Sequence, residues 1–501
     1  MAYKLSPIHQ YSRELTSHPA HSTPRSEDSD SDSDSEQPPQ APLVIAPATT
    51  TTCTTLEGSS DIELAAILDK SSNFRFCLSL FLFGLLNNVL YVIIISAALD
   101  LVPSDVPTGV ILVADITPSL LVKIGWPYFV KGQIRYARRI LSCSALSFAG
   151  MMVIVIFSSV PLRLFGISLA SLSSGLGEMT FLQLTTRYQG QPGVSWFASG
   201  TGAAGVFGAA LWWLLRHLGV QIGLGLSSVL PICLSFTYFF LLPPPSLLPP
   251  VTIEARGGYA VVPETDQTGL STELPALLVK SPELTFAEKL RLAKPLLIPY
   301  MLPLFAVYFA EYTINTGIAP TLLYPPPQPD SHPVFSLVFK NLRDYYPFWQ
   351  LTYQIFVFFS RSSMAIFRFP ALPRTLIPLP SLLQVLIFCT LLLEASSGFL
   401  SRLVSVEWIY FLVFALISLE GICGGLAYVS AYYWLGMDGH DLDQENEFRM
   451  ACVGFADTFG SVLFFLLIIR TIDHPSYSKY SSSLSTKSKS GFCWLRSLVL
   501  G

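Results

Sequence analysis

The chain has 501 residues, of which 51% are hydrophobic and only 13% charged, with a formal net charge of −4. A water-soluble protein carries roughly 25% charged residues, so this composition excludes an ordinary soluble domain. With no strongly basic segment, it excludes a nucleic-acid binder too.

Residues 1–70 read as a disordered cytosolic tail. Ser26–Glu36, S-E-D-S-D-S-D-S-D-S-E, alternates serine with carboxylates and has nothing to bury. It suits either a solvated tail or acid-directed phosphorylation. Glu63–Leu68 loosely matches an acidic dileucine sorting signal. No cleavable signal peptide opens the chain, so the first apolar span is expected to act as an uncleaved insertion signal.

From Phe74 onward, apolar runs of membrane-crossing length alternate with short polar joints. Spans are expected near 74–100, 109–130, 139–160, 164–186, 194–216 and 220–242. A second set is expected near 295–323, 346–367, 375–396, 405–435 and 448–471. The fold class that follows is all-α and polytopic, with about eleven transmembrane helices in two pseudo-repeated, major-facilitator-like halves. The N-terminal half covers 71–242 and the C-terminal half 295–471. A cytosolic linker, 243–294, joins them and ends in a stretch (Thr285–Lys294) that suits an interfacial helix. A Ser/Lys tail, 472–501, follows. Lys131, Arg135, Arg138 and Arg139 in the second joint and Arg256, Lys280, Lys289, Arg291 and Lys294 in the linker put the N-terminus in the cytosol. The basic C-terminal tail fits eleven spans badly. Either a twelfth element lies around 331–343 or the tail breaks the charge rule.

The polar residues inside these apolar runs are the candidates for function, because a lone carboxylate in hydrocarbon costs at least ~2.5 kcal/mol. Glu178, behind Gly175 and Gly177, is the first: either it faces a polar interior or it is a structural carboxyl that helps helices pack. Glu420, in S-L-E-G-I-C-G-G, is its counterpart in the tenth span, and the two are expected to flank a central cavity. Tyr308, Glu311, Tyr312 and Asn315 follow i, i+3, i+4, i+7 spacing, a polar stripe on one helix face. Asn87 and Asn88, with Tyr91, either bond neighbouring helices or line the pathway. Asp115 and Lys123 sit two turns apart on one face and read as a structural or gating pair, with Lys123 snorkelling and Pro118 kinking the helix between them. Arg361 serves either to neutralise an anionic ligand or as a cytosolic anchor. Gly200-x-Gly202-x-x-Gly205 satisfies a dinucleotide fingerprint only formally, since no βαβ unit surrounds it. Its glycines favour close helix packing, and Gly200 and Gly202 also bring backbone near a ligand. The segment matches Ala456–Ser461, with Asp457, in the eleventh span.

Enzymatic chemistry finds no support in the sequence. The histidines fall in tails or joints, no C-x-x-C pair occurs among the eight cysteines, and no metal or cofactor is expected. The acidic joint Asp438–Glu447 lacks the spacing of a calcium loop.

F-G-L-L-N-N-V-L-Y-V-I-I-I-S-A-A-L-D, V-A-D-I-T-P, G-E-M-T-F-L-Q-L and S-W-F-A-S-G-T-G-A-A-G carry a resemblance in the first half. Y-F-A-E-Y-T-I-N-T-G, Y-Q-I-F-V-F-F-S-R-S-S and E-G-I-C-G-G-L-A-Y-V carry it in the second. Over 74–471 the chain resembles battenin and its fungal vacuolar relatives. That resemblance implies a multi-pass protein of the vacuolar or lysosomal membrane. Fungal members are linked to vacuolar pH homeostasis and basic amino-acid transport, animal members to clearing glycerophosphodiesters. A solute, protons and the bilayer are the implied partners. A non-transporting scaffold acting on a proton pump or on trafficking is the rival. Animal members end in a prenylation motif, whereas Cys493 here lies too far from Gly501 to serve.

Overall fold

The computed structural model describes residues 55–97, 101, 109–129, 132–188, 190–248, 284–324, 339, 344–439 and 443–472, apart from the side chains of 55–69, 112, 406–407 and 464–472. The basic C-terminal tail and all but Phe339 of the region 331–343 lie outside these residues, as does the acidic run of 26–36. Contacts divide the chain at Ser60, and the site lies wholly in the unit from Asp61 onward.

Among the described residues every regular element is helical. In hydrocarbon each backbone N–H and C=O needs a partner within its own segment, and a helix supplies all of them. Among the described residues eleven long helices build the bundle: α1 (Thr55–Ser96), α2 (Gly109–Phe129), α3 (Tyr136–Ile156), α4 (Val160–Thr185), α5 (Gly193–Leu215), α6 (Val220–Leu241), α7 (Phe286–Thr321), α8 (Tyr345–Arg361), α9 (Leu379–Ser397), α10 (Val406–Met437) and α11 (Asp443–Ile472). Eight of these, all but α2, α8 and α11, stand out as long and apolar enough to cross a membrane among the described residues. The three others pack among them, and together they occupy the places of the eleven expected spans.

Two boundaries move. α1 starts at Thr55, inside the stretch read as tail, because E-L-A-A-I-L is a run of strong helix formers. The expected interfacial helix forms the first two turns of α7, Phe286–Ala293. Thr285 caps it, accepting from the Glu288 N–H while the Glu288 carboxylate accepts from the Thr285 N–H, and the helix runs on into the span.

Small residues set how closely the helices approach. A Cβ on Gly200 would stand 1.9 Å from the Phe81 carbonyl oxygen, and one on Gly84 would stand 2.2 Å from that of Phe197. α1 and α5 therefore cross backbone to backbone. α7 is irregular: π-helical turns at Leu297–Met301 and Thr313–Ile318 flank its α-helical centre, Leu302–Tyr312. Such wide turns often lie beside functional groups, and the second begins two residues after Glu311.

Where α2 passes to α3, the first turn of α11 is gripped by the first half of the bundle. The Tyr136 hydroxyl donates to Glu447 Oε1 at 2.6 Å and Gln183 Nε2 donates to the Glu447 carbonyl at 2.8 Å. Arg139 donates to Gln183 Oε1 at 2.9 Å, and Arg187 lies 3.7 Å from Glu447 Oε1. Buried Lys289, at the start of α7, donates to the Pro127 and Tyr128 carbonyls at the end of α2.

Candidate functional site

Seven helices, α1, α2, α4, α5, α7, α8 and α11, surround a cavity of about 180 Å³, enough for several water molecules. Four carboxyl groups, Asp115, Glu178, Glu311 and Asp457, line it against two cations, Lys123 and Arg361. Taking so many ionisable groups out of water needs specific compensation, and the groups receive it unequally.

Lys123 is 3% exposed and saturated. Its ammonium lies 2.7 Å from Glu178 Oε2, 3.1 Å from Asp457 Oδ1 and 2.8 Å from Thr458 Oγ1. Three donors meet three acceptors. Tyr428 on α10 donates to the other Glu178 oxygen at 3.0 Å. One ammonium thus joins α2 and α4 to α11. The expected pairing of Asp115 with Lys123 is not formed, and Lys123 does not snorkel. Eight residues of helix separate the two by about 12 Å along the axis, so α4 and α11 offer Lys123 nearer partners.

Arg361 is no surface anchor. It reaches into the cavity, donating through Nη1 to Thr201 Oγ1 at 2.6 Å and through Nη2 to the Tyr308 hydroxyl at 2.8 Å, and it lies over the Tyr428 ring. Its Nε has no hydrogen-bond partner. No carboxylate stands within ion-pair distance of Arg361, and no cation within that distance of Asp115 or Glu311, among the described residues. Asp115 is 3% exposed with Oδ2 unpartnered. Glu311 accepts from the Tyr353 hydroxyl through Oε1. Tyr91 and Tyr312 share a 2.9 Å hydroxyl contact across the cavity, joining α1 to α7.

The cavity therefore collects Asn88, Tyr91, Asp115, Lys123, Glu178, Tyr308, Glu311, Tyr312, Arg361 and Asp457 of the sequence candidates. Five others stand elsewhere. Glu420 is fully buried inside the second half, where Asn315 Nδ2 donates to its Oε1 at 2.9 Å. The glycines beside it account for this. A Cβ on Gly421 would meet the Tyr353 carbonyl at 2.7 Å and one on Gly425 the Ser360 Oγ at 1.8 Å, so α10 lies flat on α8 and leaves no hollow. Asn315 turns off the Tyr308–Glu311–Tyr312 stripe because the π turn lengthens the repeat there. Asn87 is spent tying α1 to α4, donating to the Ser174 carbonyl at 3.1 Å. Gly200 seats α5 on α1, and Gly202 seats it on α8 beside Arg361. Conversely, Ser174, Thr201, Tyr353, Gln354, Thr458 and Ser461 line the cavity without having been singled out. The spacing of Gln350, Tyr353, Gln354 and Arg361 along one face of α8 was the available signal.

Membrane-crossing helices packed around a buried, charged cavity define a transporter-like membrane protein. Residues 78–471 match the family model described as CLN3 protein. The chain belongs to that family, the battenins. It is 42% identical over 470 residues to Protein BTN1 of Mycosarcoma maydis, spanning 78% of this chain and 84% of that protein. Protein BTN1 of Cryptococcus neoformans var. neoformans serotype D (strain B-3501A) is 41% identical over 482 residues (80% and 92%), and Protein btn1 of Schizosaccharomyces pombe is 36% identical over 404 residues (80% and 93%). Among solved structures, a crystal structure of the E. coli fucose:proton symporter FucP aligns with TM-score 0.47 and 12% identity, covering 85% of this chain and 96% of that one. The human organic anion transporter MFSD10 (TETRAN) aligns with TM-score 0.48 and 13% identity, covering 84% and 99%.

Proposed function

We propose that this protein is a carrier of the vacuolar membrane that moves basic amino acids through the central cavity and, by coupling to protons, contributes to vacuolar pH homeostasis. The observation that carries this reading is the unequal compensation of the cavity charges. Lys123 is saturated by Glu178 and Asp457, whereas Asp115 and Glu311 lack a cation and Arg361 has only hydroxyl oxygens and an aromatic face. A basic amino acid brings the missing charges together: a carboxylate for Arg361 and cationic nitrogens for Asp115 and Glu311. The unpaired guanidinium also favours a second reading, in which the anionic group is the phosphate of a glycerophosphodiester.

The test is exchange of labelled arginine, and separately of labelled glycerophosphocholine, by the full-length protein in liposomes. Arginine is expected to exchange. Arg361→Gln and Asp115→Asn should each reduce the rate roughly tenfold or more, the effect of losing one charge-assisted hydrogen bond. Exchange of glycerophosphocholine alone would select the second reading. Exchange of neither would reject both.

A further inference from the structure

Four of the buried carboxyl groups fall into two pairs with different surroundings. Glu178 and Asp457 share Lys123, whose ammonium favours the charged form of each. Glu311 and Glu420 share no cation within 4 Å among the described residues. Asn315 stands between them: its Nδ2 donates to Glu420 Oε1 at 2.9 Å and, at 3.1 Å, to the main-chain carbonyl of Glu311 one turn back, not to the Glu311 carboxyl. Asn315 is itself held by Gln350 Nε2, which donates to its Oδ1 at 3.0 Å. Glu420 is 0% exposed, and its Oε2 has no hydrogen-bond partner. An isolated carboxylate in such a place is far costlier than the neutral acid. In the neutral acid Oε1 is the carbonyl that accepts from Asn315 and the hydrogen sits on Oε2.

Glu311, by contrast, reaches the cavity. Its surroundings are Tyr308 and Tyr312 on α7, Tyr353 and Arg361 on α8, Glu420 on α10 and Asp457 on α11, with Tyr91 on α1 and Asp115 on α2 across the hollow. The wide turn Thr313–Ile318 starts beside it. Gly424 leaves room for its second oxygen, since a Cβ there would lie 2.6 Å from Glu311 Oε2.

We propose that Glu311 and Glu420 form a proton seat distinct from the Lys123 tie, in which Glu420 keeps a proton in the closed second half and Glu311 exchanges one with water in the cavity. This deepens the carrier reading by naming the group that takes up the coupled proton. The exchange makes and breaks only a carboxyl O–H bond, with the proton coming from and returning to cavity water. A neutral Glu420 beside it spares Glu311 one buried negative neighbour when it ionises.

The experiment uses the wild-type full-length protein in lipid membranes and reads protonation rather than flux, so it stands whether or not a solute is carried. Dicyclohexylcarbodiimide attaches to protonated carboxyls in apolar surroundings, and peptide mass mapping assigns the adducts. Glu311 should be modified at acidic pH, with the yield falling several-fold towards neutral pH, while Glu178 and Asp457 stay unmodified throughout. Gly424→Ala should lower the Glu311 yield by crowding its oxygen. Infrared spectra should contain a protonated-carboxyl band insensitive to bulk pH that is lost in Glu420→Gln and retained in Glu178→Gln. Absence of the Glu311 adduct at every pH, equal modification of Glu178 or Asp457, or an unchanged spectrum in Glu420→Gln would each overturn the proposal.

Discussion

Lys123 is the residue on which the charge balance of the cavity turns. Replacing it with methionine keeps the length of the side chain but strands Glu178 and Asp457 together in a buried site. Breaking a buried ion network from one side costs about 3–5 kcal/mol. Lys123→Met should therefore lower the unfolding midpoint of the detergent-purified protein markedly. The triple variant Lys123→Met, Glu178→Gln, Asp457→Asn should recover most of the loss, since no bare charge remains. Equal losses in the single and triple variants would mean that packing, and not charge, sets the stability here. The sequence already marked each of these residues as unusual, because charge is conspicuous in an apolar run. It could not pair them. Lys123 and Asp457 are 334 positions apart and meet only because α2 and α11 pack together; nearness along one helix suggested Asp115 instead.

At the scale of elements, helix positions were legible because the bilayer imposes a length and an apolar composition that few other environments require. The way a helix turns its polar face was less so. Glu178 and Glu420 both stand in glycine-rich stretches, yet α10 presses its glycines onto α8 and buries Glu420. The same small residues yield a prediction for α5. Gly200→Leu would force a branched side chain against the Phe81 carbonyl, and the α1–α5 crossing should come apart. The variant is expected to elute as aggregate in size-exclusion chromatography, whereas Gly225→Leu on α6, with only one neighbouring side-chain atom at 4.0 Å, should elute as wild type. The grip on α11 is testable as well. Cys452 lies behind it, 2% exposed and 3.6 Å from the Tyr128 hydroxyl. The double change Tyr136→Phe, Glu447→Gln should raise its labelling rate by a water-soluble maleimide several-fold, read by peptide mass. Unaltered labelling would show that the grip does not control entry from that end.

For the whole molecule, the decisive contrast is between a chain that carries solute and one that organises other proteins. The described residues that line the cavity all belong to helices α1, α2, α4, α5, α7, α8 and α11. Removal of residues 1–54 is therefore expected to leave arginine exchange in liposomes within twofold of the full chain, whereas a scaffold working through its tail would lose its cellular effect on vacuolar pH. The fold of the molecule was readable because hydrophobic length is a strong, local signal. The cavity was readable only in part, since it depends on which helices meet, and neutral contributors such as Thr201, Ser174 and Tyr353 carry no charge to betray them.

The saturated Lys123 ammonium also bears on how the protein can move. Two of its three short contacts, to Asp457 and Thr458, tie α2 to α11 and break together, so the first six helices cannot drift from the last five by small increments there. Displacement should occur as a jump between two settings, and a single-molecule distance trace between dyes on α3 and α9 should dwell at two levels with abrupt crossings.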